Sequence, residues 1–309
     1  MGRLALAPVR HVTNRSLAVV LIAVLGIGVA AIIWTGRRLI QPVPQRVGPP
    51  PRELNMEAVA LRSESGATLH GWLSPARKRG AVLLLPPVRA NRLAMLPRAR
   101  FLAEAGYSTL LVDLQATGES EGEAITFGWR ERLDVLAAVQ FLRQRRASEP
   151  VAIIGWSLGG AAALLATPPL QIEGMVLEAV YPSIDRAVEN RLRMRMGALG
   201  SLMAPFLLWQ LTPRLGVSPG ELRPVDHISR INVPVLIIGG SEDRHTTEAD
   251  TRLLYEHARD PKEIWLVPGA AHVDYYEAAG DEYRRRVLRF LAMVFDVDPV
   301  RCCVEESGR

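Results

Sequence analysis

The pentapeptide Gly155-Trp156-Ser157-Leu158-Gly159 holds the first residue able to do covalent chemistry. A serine hydroxyl is a poor nucleophile until a base takes its proton, and the base needs a third group to orient it. Ser157 follows an apolar run, Val151-Ala152-Ile153-Ile154, and opens a small-residue run, Gly160-Ala161-Ala162-Ala163-Leu164-Leu165. Between a strand and a helix, Gly-x-Ser-x-Gly forms a strained turn that lifts the serine oxygen clear of the sheet. Gly155 and Gly159 keep Cβ atoms out of that turn. The helix start would then aim the Leu158 N–H, and the positive end of the helix dipole, at negative charge developing beside Ser157.

His272, in Gly269-Ala270-Ala271-His272, is the candidate base, and Asp243, in Gly240-Ser241-Glu242-Asp243, is the candidate orienter. Each has a plain structural alternative. A histidine after a strand is commonly a satisfied loop residue, and an aspartate before Thr246-Thr247 can cap the next helix. Jointly, three such residues at the carboxyl ends of three strands favour a Ser-His-Asp assembly on one sheet edge. His11, His70, His227 and His257 lack that context. His245, near Asp243, is a pocket candidate without it.

These side chains need a scaffold, and the hydropathy pattern supplies one. Strands are predicted at residues 57–61 and 68–73, forming a hairpin around Ser65-Gly66, and at 81–85, 107–113, 151–154, 174–179, 233–239 and 263–267. Helices are predicted at 91–105, 129–146, 247–258 and 282–295. A hairpin followed by alternating strands and helices argues a mainly parallel sheet covered on both faces. Residues 182–226 interrupt the alternation. They hold the apolar stretch Leu199–Leu211, read either as an ordinary packed helix pair or as a small lid over the site. Arg186, Arg191, Arg193 and Arg195 read as a solvated face.

The chain has 309 residues and a formal charge of +5. Seven arginines and no acid fall within residues 1–52, leaving 30 basic against 32 acidic residues over 53–309. The globular part is thus not basic, which argues against a nucleic-acid partner. Only Lys78 and Lys262 are lysines, and the two cysteines, Cys302 and Cys303, are adjacent in a polar tail. No disulfide framework or metal spacing follows from them.

Leu17–Trp34 is an uncharged run of 18 mostly apolar residues, about 27 Å long as a helix and able to cross a hydrocarbon core. A cleaved signal peptide is the rival reading, but the run is longer than the usual signal-peptide core and no clear small-x-small site follows it before Arg37-Arg38. Flanking arginines nearly balance. The preferred topology is single-pass, with the domain on the outer side of the membrane. Pro42, Pro44, Pro49, Pro50 and Pro51 suggest a stiff spacer holding the domain some 30 Å away. The expected organisation is a basic segment 1–16, an anchor 17–35, a linker 36–52, a globular domain 53–298 with its lid, and a tail 299–309.

Residues 57–295 resemble an α/β-hydrolase-fold serine hydrolase. The pattern is similar to the monoacylglycerol-lipase and serine-aminopeptidase-like group, especially bacterial members with a membrane anchor. The chain order Ser157, Asp243, His272 is the order of that fold, and Asp113-Leu114-Gln115-Ala116-Thr117-Gly118-Glu119-Ser120 resembles the group's Asp-x-x-x-x-Gly-x-Ser turn. The resemblance implies an eight-stranded, mainly parallel sheet and cleavage of an ester, thioester, amide or small peptide through an acyl-enzyme, without metal or organic cofactor. The group usually carries His-Gly after the third strand, whereas this chain reads Leu85-Pro86-Pro87-Val88-Arg89. Pro87 has no N–H, so Val88 is the expected oxyanion donor beside Leu158. Trp156 and Arg89 are the expected substrate contacts. The expected function is hydrolysis of a carboxylic ester, lipid-derived in view of the anchor. Peptidase or thioesterase action on the same residues is the runner-up, and a non-catalytic membrane-tethered scaffold is the alternative of another class.

Overall fold

The computed structural model describes residues 14–295. The tail at 299–309, with its cysteines, and the segment before residue 14 lie outside the described residues. Eight strands form one sheet: β1 (Glu57–Arg62), β2 (Thr68–Leu73), β3 (Ala81–Leu85), β4 (Ser108–Val112), β5 (Val151–Trp156), β6 (Gly174–Glu178), β7 (Val235–Gly240) and β8 (Lys262–Val267). Their spatial order is β1-β2-β4-β3-β5-β6-β7-β8. β2 runs antiparallel to both β1 and β4, and the remaining neighbours are parallel.

The central strands read as unbroken apolar runs because both faces are covered. Alternation still sorts their side chains. Leu83, Leu85, Val151 and Ile153 enter the core on one face, and Val82, Leu84, Ala152 and Ile154 enter the core on the other. Ten helices are described: α1 (Asn14–Ile40), α2 (Leu96–Glu104), α3 (Glu131–Arg145), α4 (Leu158–Leu165), α5 (Ile184–Met196), α6 (Ala198–Leu208), α7 (Leu211–Leu215), α8 (Pro224–Ile228), α9 (Glu248–His257) and α10 (Tyr275–Val294). The last helix starts earlier than its pattern predicts. Gly280, with φ 49°, breaks the regular backbone inside it and conceals the first turns.

The interruption between β6 and β7 is a packed pair, α5 and α6, turning at Gly197 and followed by two short helices. It takes the form of the packed helix pair, one of the two readings of residues 182–226.

Residues 36–52 differ from the expected spacer. Helix α1 runs on to Ile40, past residue 35, and Val43–Pro44 then pairs in parallel with Thr117–Gly118. Val43 N donates to Ala116 O at 2.8 Å and Gln45 N to Gly118 O at 2.7 Å. Glu119 Oε1 accepts from Val47 N and Gly48 N at 3.1 and 3.2 Å. The proline-rich segment lies along the domain, because prolines leave alternate carbonyls and N–H groups free to bond a neighbouring loop edge.

Asp134 of α3 ties the hairpin to the sheet. Its carboxylate accepts from Ser63 Oγ at 2.6 Å, Ser65 Oγ at 2.7 Å and Gln115 N at 2.8 Å. Burial outweighs these bonds and pushes its pKa up to about 7. The unfolded side chain releases its proton near about 3.9. The stability that Asp134 contributes is therefore complete below that value and is lost as pH rises through about 7. Asp134→Asn, which keeps an acceptor for Gln115 and carries no charge, is expected to raise the melting temperature at pH above 7 by the equivalent of up to about 4 kcal/mol and to change it little in acid. Melting curves across pH check this; equal shifts at both ends would refute it.

Candidate active site

β5 delivers Ser157 to the carboxyl edge of the sheet. Ser157 has φ 50° and ψ −109°, a backbone region that L-residues seldom occupy. The strain is held by close packing. A Cβ on Gly155 would lie 2.6 Å from Gly160 Cα, and one on Gly159 would lie 2.6 Å from both Cβ and O of Leu85. Ser157 N donates to Glu178 O at 2.7 Å, which fixes the turn to β6.

β7 and β8 end on the same edge and carry Asp243 and His272 in the loops that follow. His272 Nδ1 lies 2.7 Å from Asp243 Oδ2. The same oxygen accepts from Tyr275 OH at 3.0 Å, while Oδ1 accepts from His245 N at 2.7 Å and Thr246 N at 2.9 Å. Burial pushes the Asp243 carboxyl up, but the bond and charge of His272 with the two backbone N–H groups outweigh it. The carboxyl rests below its ordinary range. His245 stacks on His272, with ring centroids 4.7 Å apart and planes 11° apart. Burial first, then the neighbouring His272 and Arg191, push the His245 pKa down.

Ser157 opens onto a cavity of about 320 Å³, within the usual size range for a small-molecule site. Val88, Leu158, Phe127, Ile184, Val188 and Leu207 give it apolar walls, and Arg89, Arg191, Arg195 and His245 add polar atoms. Val88 and Leu158 thus both face the cavity at Ser157. Leu158 begins α4, so its N–H has no carbonyl partner within the helix. The Pro86-Pro87 turn closes through Ala90 N donating to Pro87 O at 3.2 Å, with Arg89 at φ 63°.

The alpha/beta hydrolase family model matches residues 68–286. The chain belongs to that family. Among proteins similar to this alpha/beta hydrolase is the esterase Pf2001 of Pyrococcus furiosus, whose structure aligns with a TM-score of 0.69 at 24% identity over 82% of this chain and 98% of the other. The uncharacterized protein YqkD of Bacillus subtilis is 24% identical over 77% of this chain and 80% of its own. The uncharacterized protein Rv2307c of Mycobacterium tuberculosis is 26% identical over 90% and 95%.

Of the two expected substrate contacts of this alpha/beta hydrolase, one lies away from the cavity. Trp156 does not line the cavity: it packs on the opposite core, under the Arg98 guanidinium at 5.2 Å. Arg89 does line the cavity, but its Nη1 donates to Arg38 O at 3.1 Å and Gln41 O at 3.5 Å and so holds the end of α1. The Asp113 turn is structural. Its Oδ1 accepts from Arg92 N at 2.7 Å and Oδ2 from Glu119 N at 2.9 Å, while Ser120 Oγ donates to Asp113 O at 2.7 Å.

Sequence reading missed the support behind the elbow. Buried Arg98 binds Glu178 at the end of β6, donating from Nε at 3.0 Å and also from Nη2, and binds Asp274 at 2.8 and 3.0 Å. Tyr283 OH completes the group on Glu178. These partners ring the strand whose carbonyl receives the Ser157 N–H. Tyr275, beside Asp243, was also not foreseen; its place at the start of α10 gave no signal of its own.

Proposed function

We propose that the chain is a membrane-anchored serine hydrolase that cleaves a carboxylic ester, of the monoacylglycerol-lipase-like kind, with a lipid-derived acyl group as the favoured substrate. The observation that carries this reading is the 2.7 Å contact of His272 with Asp243 on the sheet edge where strained Ser157 meets an apolar cavity.

In the proposed mechanism Ser157 Oγ attacks the ester carbonyl carbon and its proton passes to His272 Nε2. Asp243 holds the imidazole with Nδ1–H towards itself and steadies the cation that forms. The oxyanion is met by the N–H groups of Leu158 and Val88. Collapse breaks the carbon–oxygen bond, and His272 returns the proton to the leaving alcohol. Water then attacks the acyl-enzyme by the same route, releasing the acid and restoring Ser157.

The anchor is part of this reading. Leu21–Ile40 is long and apolar enough to cross a membrane, with Leu21, Ile22, Val24 and Ile27 exposed. Helix α6, which contacts α1, also exposes Leu199, Leu202 and Phe206, with Trp209 just beyond its end. Exposed apolar surface of this kind marks a membrane or partner contact. The bonds from Gln210 and Arg214 to Ile32 O and Ile33 O, inside the apolar run, favour an uncleaved anchor over a signal peptide.

The test is labelling of the full chain in detergent by a fluorophosphonate, followed by a panel of matched acyl esters, acyl thioesters and aminoacyl amides. Labelling with ester turnover well above amide turnover is expected. Preferred turnover of thioesters or amides would move the runner-up reading into first place, and a folded protein that takes no label would leave only the scaffold.

A further inference from the structure

The cavity at Ser157 is not closed by the globular domain alone. Thr35 and Leu39, from the last turns of α1, are among its lining residues. They stand four positions apart, on one face of the helix. Leu39 also borders a narrow apolar cleft shared with Phe127, Ile184, Val188 and Leu207, the residues that line the main cavity from the other side. The wall is thus continuous from α1 to the helix pair.

This end of α1 is fastened, which a specificity wall requires. Gln210 Nε2 donates to Ile32 O at 3.1 Å, Arg214 Nη2 to Ile33 O at 3.2 Å, and Ile125 N to Ile40 O at 2.9 Å. The carbonyls at 32 and 33 lie inside the helix and accept these bonds through their second lone pairs, and the partners lie alongside the helix, where Gly36 is buried. A Cβ at Gly36 would lie 2.5 Å from Gln210 Oε1. Arg89 holds the next turn, and the Val43–Gln45 bridge holds the chain beyond it. Upstream, Val19, Ile22 and Ile27 are 66, 70 and 70% exposed, against 36% for Leu39.

We propose that Thr35 and Leu39 of the anchor helix are specificity-determining residues, forming the wall that limits the length of acyl chain the Ser157 cavity accepts. The inference rests on the serine-hydrolase reading above. It makes the helix a working part of the site as well as a tether, and it excludes removal of the helix from an active enzyme.

The test uses the full chain in detergent and nitrophenyl esters from acetyl to dodecanoyl, with kcat/KM for each. The readout is the ratio of long-chain to short-chain kcat/KM, which a general loss of folding would not shift in one direction. Leu39→Trp and Thr35→Trp are expected to lower that ratio at least about tenfold, and Leu39→Ala to raise it, since contacts of a methylene or so change specificity by about that factor. Ile27→Trp, on the exposed part of the same helix, is expected to leave the ratio within about twofold. If both Leu39→Trp and Thr35→Trp keep the wild-type ratio while still labelling with fluorophosphonate, the wall is overturned and the hydrolase reading stands. A wild type with neither labelling nor ester turnover would overturn the hydrolase reading and the wall with it.

Discussion

Ser157→Ala is expected to lose fluorophosphonate labelling completely and to lower kcat by about a millionfold, with KM little changed. The size follows from the chemistry. Without the hydroxyl there is no acyl-enzyme, and the remaining oxyanion donors assist only direct attack by water, leaving a residual about a thousandfold to ten-thousandfold above the uncatalysed rate. The fold is expected to survive. Ser157 makes no side-chain hydrogen bond that caps α4, and alanine has the same Cβ in the same strained backbone. Labelling kinetics on the full chain, beside its melting curve, check this. Label that persists in the mutant would place the nucleophile elsewhere.

Asp243→Asn is expected to lower kcat by about ten-thousandfold while leaving Ser157 in place. The hydrogen bonds around Asp243 say why. Oδ1 accepts from two backbone N–H groups, those of His245 and Thr246, and only an oxygen can stay there. An asparagine must therefore turn its NH2 towards His272 Nδ1. That donor selects the imidazole tautomer with its proton on Nε2, which cannot take the proton of Ser157. Tyr275 OH, now facing the same NH2, must rotate its own hydrogen away and loses its acceptor. The substitution also bears on acid stability. The folded carboxyl lies below its ordinary range, so its contribution is present above the unfolded value and is lost as pH falls through the folded one. The mutant is expected to show a shallower fall in stability on acidification. Steady-state kinetics and acid titration of the melting temperature measure both effects. A mutant within about tenfold of wild type would mean that Asp243 merely caps the α9 loop.

What the sequence disclosed, and what it hid, follows from the range of the interactions. The central strands are continuous apolar segments bounded by turn residues, so local pattern suffices for them. The elbow is local too, and Asp243 and His272 were legible because each follows a strand directly. Trp156 was misread through adjacency. Neighbours along a strand point to opposite faces, so the residue before the nucleophile turns into the far core, beneath Arg98. The Arg98, Glu178, Asp274 and Tyr283 group joins three distant segments, α2, β6 and α10 with its N-cap, and nothing in any one of them announces the others. Thr35 and Leu39 were concealed differently. A run apolar enough to cross a membrane accounts for itself, and leaves no residual pattern to suggest a second use of its last turns. The prolines after it suggested separation, whereas the backbone of Val43–Gly48 is bonded to the domain.

That bonded collar changes what limits the encounter with substrate. A domain on a loose tether would tumble and sample the solution, and its rate would follow bulk concentration. On the proposed reading of α1 as a membrane anchor, a cavity pinned at the foot of that helix would keep one height and one heading relative to the lipid plane. The lipid-derived substrates proposed above would then arrive by lateral diffusion, in two dimensions, so turnover is expected to scale with their mole fraction in the surface, and dilution with inert lipid to slow the enzyme where added buffer does not.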